Sequence, residues 1–106
     1  MSKELELNAN KVVTLEQTVV DVVAEGGVFS VDYTVENPLP GIDVVGKTSV
    51  EWITSIVAEG GVLKFSVAAN NQPEERSAFI SVKYPNADDV SVEVRQAAFE
   101  GVTFQM

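Results

Sequence analysis

The hexapeptide Val-Ala-Glu-Gly-Gly-Val occurs twice in this chain, at 23–28 and at 57–62, an offset of 34 residues. After each copy, apolar and polar residues alternate. Phe29, Val31, Tyr33 and Val35 fall on one side, with Ser30, Asp32, Thr34 and Glu36 on the other. In the second copy Leu63, Phe65, Val67 and Ala69 take the apolar side, and Asn71 stands where Asn37 stood. Side chains of a β-strand point alternately to its two faces, so this pattern describes a strand with one buried face. The paired glycines supply the positive φ that tight turns demand. Two copies are too few for a solenoid, so they read as equivalent strands of one sandwich.

The remaining segments follow the same rule. Leu5 and Leu7 alternate, Asn8-Ala-Asn10 interrupts, and Val13 and Leu15 resume, giving a first strand with a kink. Val19 to Ala24 is an apolar run and reads as a strand covered on both faces. Asn37-Pro-Leu-Pro-Gly41 is a break, because proline cannot donate to a ladder. Val50, Trp52 and Ile56 share a face of the next strand, and 70–75 and 85–89 are loops. No segment has a helical period. The chain is expected to be all-β, an antiparallel sandwich of about seven to nine short strands.

Composition excludes most chemistry. The 106 residues suffice for one domain with its own core. There is no cysteine and no histidine, which removes disulfides, Cys/His zinc sites, thiol nucleophiles and any Ser-His-Asp arrangement. Seven basic residues against sixteen acidic ones give a net charge of −9, which repels nucleic acid and anionic membrane surfaces. No apolar run approaches the roughly 20 residues of a membrane span. Met1-Ser2-Lys3 leads straight into a strand-like segment without an apolar leader. The protein either stays in the cytoplasm or has lost an export signal.

Residues about 4 to 98 resemble a BACON module, the Bacteroidetes-associated domain often found N-terminal to carbohydrate-active regions. The resemblance is carried by the Glu-Gly-Gly turn and strand from Glu25 to Val35 and by Trp52-Ile53. It continues in a strand ending at Asn70-Asn71, in Arg76-x-Ala78-x-Ile80-x-Val82, and in a last strand closing on Gln96. Several such modules end Gln-x-Gly, whereas this chain has Gln96-Ala-Ala98. The resemblance implies an immunoglobulin-like sandwich and an exported parent at the periplasm or cell surface, often a lipoprotein. It brings no catalytic residue, metal or cofactor. Partners would be other domains of the parent and, weakly, a glycan.

Three residues are candidates for ligand contact. Trp52 could stack on a pyranose, or fill the core in phase with Val50 and Ile56. Phe79 falls out of phase with Ala78, Ile80 and Val82, so it shares the outer face with Ser77, Ser81 and Lys83. It is an incidental exposed ring or the mark of an interaction surface. Arg76, beside Glu74 and Glu75, could hold a sugar or carboxylate, or form an ion pair or cap loop carbonyls. Asp88-Asp89 lacks the alternating oxygen ligands of a calcium loop and reads as a turn. The tail 99–106 is an added edge strand or a linker. The expected function is a non-catalytic spacer or interaction module, with a weak carbohydrate-binding module as the rival.

Overall fold

The computed structural model describes residues 11–99. Leu5, Leu7, the Asn8–Asn10 interruption and the tail from 100 onward lie outside the described residues. Eight strands follow in order: β1 (Val12–Leu15), β2 (Val19–Val22), β3 (Gly27–Glu36), β4 (Val45–Lys47), β5 (Ile53–Glu59), β6 (Val62–Val67), β7 (Arg76–Lys83) and β8 (Val90–Gln96). No helix occurs among the described residues. One sheet has the order β1-β3-β6-β5 and the other β2-β8-β7-β4. All pairs are antiparallel except β2 with β8. This is the immunoglobulin arrangement, two facing sheets with the first strand divided between them.

The division is visible in the backbone. The Glu16 amide donates to Asp32 in the first sheet, and the Thr18 carbonyl accepts from Glu93 in the second. The chain therefore changes sheets between 16 and 18. The apolar run at 19–24 is not covered on both faces, as its composition suggested. β2 is an edge strand with Val20 and Val22 buried and Asp21 and Val23 exposed. An edge strand packs only its inner side, so apolar content alone does not report two-sided burial.

The two Glu-Gly-Gly copies lead into β3 and β6, which are neighbours in one sheet, with Phe29 opposite Phe65 and Val31 opposite Leu63. Their turns do different work. Gly60 and Gly61, at φ 62° and 83°, close the β5–β6 hairpin. Gly26, at φ 77°, carries the chain from one sheet to the other, and a Cβ there would collide with the Val67 carbonyl oxygen.

Inward-facing side chains of both sheets form the core: Val31, Tyr33, Leu63, Phe65 and Val67 from one, Ile80, Val82, Val92 and Val94 from the other. Phe29 and Phe65 stack with ring centroids 6.2 Å apart. On β5 the expected phase fails. Val50 and Trp52 precede the strand, Ile53 is its buried residue, and a bulge between Thr54 and Val57 shifts the register. Ser55 takes φ 54° there, and the extra residue returns Ile56 and Ala58 to the core side. Trp52 is thus not a central-strand core residue but a half-buried ring at the end of the sandwich.

Gly46 on β4 faces side chains of both sheets with no room for a side chain of its own. A Cβ there would lie 2.7 Å from Ile56 Cγ2, 3.1 Å from Leu63 Cδ1 and 3.3 Å from Ile80 Cγ2. Gly46→Ala should destabilise the fold by about 1–3 kcal/mol through overpacking, read as a lower urea midpoint; an unchanged midpoint would show that the sheets can separate freely.

Candidate functional site

Both ends of the sandwich are closed by polar groups, and two of the three candidate residues lie at one of them. There the strands of both sheets run out of ladder partners. Gln96, only 1% exposed, ends the inward series Val92, Val94, Gln96 on β8. Its Nε2 donates to the carbonyls of Val23, Ala24 and Ala68 at 3.2, 3.2 and 2.9 Å. Its Oε1 accepts from Arg76 Nε at 2.7 Å. Arg76 Nη2 donates to the carbonyls of Ala68 and Ala69, both at 3.1 Å. The guanidinium carbon lies 4.3 Å from the centroid of the Trp52 ring, a cation–π contact. Burial pulls the Arg76 pKa below its usual value, yet a guanidinium stays charged in proteins.

The neighbouring loop is held by Asn70, also 1% exposed. Its amide donates to the Ala24 carbonyl at 2.7 Å. Its Nδ2 donates to the carbonyls of Glu74 and Ala97 at 2.8 and 3.0 Å, and its Oδ1 accepts from the Gln72 amide at 3.1 Å.

The structure therefore joins Arg76 to Trp52 and leaves Phe79 apart. β7 alternates, with Ala78, Ile80 and Val82 inward and Ser77, Phe79 and Lys83 outward. Phe79 is 57% exposed and lines an open groove of about 450 Å³ with Lys47, Thr48, Ser77, Ser81 and Lys83. Thr48 Oγ1 donates to the Phe79 carbonyl at 2.9 Å, fixing the groove's rim. A second open groove of about 570 Å³ lies on the opposite sheet, lined by Val28, Ser55, Val57, Val62 and Lys64. Asp89 pairs with Lys83 at 2.7 Å on the surface. Among the described residues no three His, Cys, Asp or Glu side chains are grouped to hold a metal.

At the other end Tyr84 is buried. Its hydroxyl accepts from the Leu39 amide at 2.7 Å and lies 3.3 and 3.2 Å from the carbonyls of Leu39 and Ile42, pinning the Leu39–Ile42 turn. Tyr33 is buried nearby, and its hydroxyl has no hydrogen-bond partner among the described residues. Burial, with the negative charge of Asp43, raises its pKa above the ordinary 10.0, and the Gly61 backbone works in the other direction. Asn70 and Gln96 do not stand out by residue type; the signal for Gln96 is its phase with Val92 and Val94.

The chain matches no protein-family model and no curated protein sequence. It is similar in structure to part of a Bacteroides ovatus GH5 xyloglucanase solved with a XXXG heptasaccharide, at 20% identity and TM-score 0.67. That match covers 88% of this chain and 20% of the xyloglucanase, so the chain spans one fifth of that protein's length. A Bacteroides thetaiotaomicron protein solved by NMR matches at 16% identity and TM-score 0.54, covering 83% of this chain and 88% of that one. Titin domain M7 matches at 11% identity and TM-score 0.55, covering 84% and 95%. At these identities the likeness shows the fold: the protein is an all-β, immunoglobulin-like sandwich.

Two outcomes follow from the polar ends. Gln96→Ala leaves Arg76 Nε without its acceptor and takes one of two donors from the carbonyls of Val23, Ala24 and Ala68, which keep the Gly26 amide, the Asn70 amide and Arg76 Nη2. With the cavity it opens, it should cost about 2–3 kcal/mol in urea unfolding. For Tyr33, a raised folded pKa means stability is fully present below the unfolded pKa and is lost as pH rises through the folded one. Wild type should lose stability above about pH 10 more steeply than Tyr33→Phe, and Tyr33→Phe should be neutral or stabilising at pH 7. Parallel alkaline profiles for the two proteins would refute this.

Proposed function

We propose that this chain is a non-catalytic accessory module of a larger exported bacterial protein, a BACON-like spacer that holds neighbouring parts of that protein apart. The observation that carries this reading is where the backbone enters and leaves. The Lys11 amide bonds to the Asn86 carbonyl in the β7–β8 turn, and the Phe99 amide bonds to the Gln72 carbonyl in the β6–β7 loop. These points lie at opposite ends of the eight-residue β7. At about 3.3 Å per residue they are separated by roughly 23 Å. A domain threaded end to end adds its own length between its neighbours, whereas one with adjacent termini projects to the side.

Other observations support the same reading. The similar segment of the Bacteroides ovatus xyloglucanase is a fifth of that protein, as a module would be. Arg76 and the Trp52 face it covers are engaged in closing the sandwich. The absence of histidine and cysteine narrows the available catalysis. Export to the periplasm or cell surface, and other domains of the parent as partners, belong to this proposal through the BACON resemblance. The net charge of −9 disfavours nucleic acid as a partner.

The Phe79 groove favours a second reading, weak carbohydrate binding. An exposed ring flanked by Ser77, Ser81, Thr48 and two lysines offers one stacking face and several hydrogen-bonding groups. One aromatic contact contributes about 1 kcal/mol, against several kcal/mol of freedom lost on association. Calorimetry with xyloglucan-derived and other oligosaccharides should find no affinity tighter than about millimolar, near −4 kcal/mol. Micromolar binding abolished by Phe79→Ala would replace the spacer reading with the carbohydrate-binding one.

A further inference from the structure

The polypeptide does not simply trail from the end of β8. The Ala97 amide donates to the Val22 carbonyl at 2.9 Å, the Ala97 carbonyl accepts from Asn70 Nδ2 at 3.0 Å, and the Phe99 amide donates to the Gln72 carbonyl at 2.8 Å. Ala97 is thus tied on both sides of its own residue, to the edge strand of one sheet and to the loop that follows β6 in the other. Asn70 organises that loop. One carboxamide bridges Glu74, Ala97 and Gln72, so the residue holding the exit also shapes the loop that receives Phe99. Its own amide is anchored to Ala24, and its side chain is almost wholly buried. A linker free to swivel has none of these ties; its backbone groups are left to water and its direction is set by entropy.

We propose that the Asn70 clamp makes residues 97–99 a rigid coupling arm. It fixes the direction in which the backbone leaves the sandwich from Gln96 to Phe99. The proposal deepens the spacer reading and rests on it: a spacer with a fixed exit transmits orientation as well as distance. Phe99, 47% exposed, is carried at the end of the arm, and Val23, 58% exposed, stands on the β2–β3 turn that Asn70 and Gln96 hold. Both are available to a neighbour whose approach the arm dictates. Asn70 acts here as a positioning residue, through Ala97 and Gln72, and touches no ligand.

The test is ¹⁵N relaxation and amide exchange on the 106-residue protein. In wild type the Ala98 and Phe99 amides should have order parameters near those of β8, about 0.85, and Asn70→Ala should drop them below about 0.6. The Phe99 amide should exchange at least about tenfold faster in the variant, a local opening, while amides of β7 and β8 keep their wild-type order parameters. If Asn70→Ala does not fold, Asn70→Ser is used, since one hydroxyl cannot reach both the Glu74 and Ala97 carbonyls while accepting from Gln72. Wild-type values already below about 0.6 at Ala98 and Phe99 would overturn the proposal. So would a folded variant in which those amides stay as rigid as in wild type. Neither result bears on glycan affinity, so the arm can fail while the spacer reading stands. Micromolar glycan binding would remove the spacer reading whatever the relaxation data show.

Discussion

The structure depends on one buried carboxamide. Gln96 sits on β8, in the second sheet, and its Nε2 reaches the carbonyls of Val23 and Ala24 beyond β2 and of Ala68 beyond β6 in the first. At this end of the sandwich the backbone leaves its ladders while still shielded from water, and buried carbonyls without donors are costly. Arg76 completes the arrangement by satisfying Gln96 Oε1 and sharing the Ala68 carbonyl. With its own end fixed by these bonds, Arg76 lies against Trp52 and covers it. The half-buried indole follows from that closure, while Asn70 beside it holds the loop after β6 and the backbone at Ala97.

Between the closed ends the sheets are held by shape. Phe65, Leu63, Ile80 and Val92 are fully or almost fully buried, and Gly46 lets β4 approach Ile56 and Leu63 where any side chain would collide. The bulge at Ser55 serves the same layer, because it returns Ile56 to the core after Ile53 has used the opposite phase. It also breaks the regularity of β5, an edge strand, which lessens its suitability as a template for pairing with another chain.

Half-buried strands were the legible part of this sequence. β3, β6, β7 and β8 each expose one face and bury the other, so their alternation reports both the strand and its inner side. Phe79 was assigned to the outer face in this way, and that is where it stands. The method failed where period and burial part company. β2 is apolar but lies at an edge, and β5 changes phase at a residue with positive φ that no residue type announces. The polar closure was illegible for a different reason. Gln96 bonds to backbone 72 and 73 residues earlier in the chain, and its partners are carbonyls that every residue possesses. The resemblance-bearing positions Trp52, Arg76 and Gln96 turn out to be one contact set, which residue identities alone could not join.

The divided first strand has a mechanical consequence. β2 runs parallel to β8, in register from Val19 opposite Glu93 to Val22 opposite Gln96. β2 is approached from the Lys11 end of the sandwich, while β8 leads out at the Phe99 end. Tension applied between those two points pulls the paired strands past one another along their length. Their hydrogen bonds are then loaded together, in shear, and cannot open one at a time from an end. Resistance to stretching then rests on this four-residue contact together with the four-residue pairing of β1 with β3, which the load meets first.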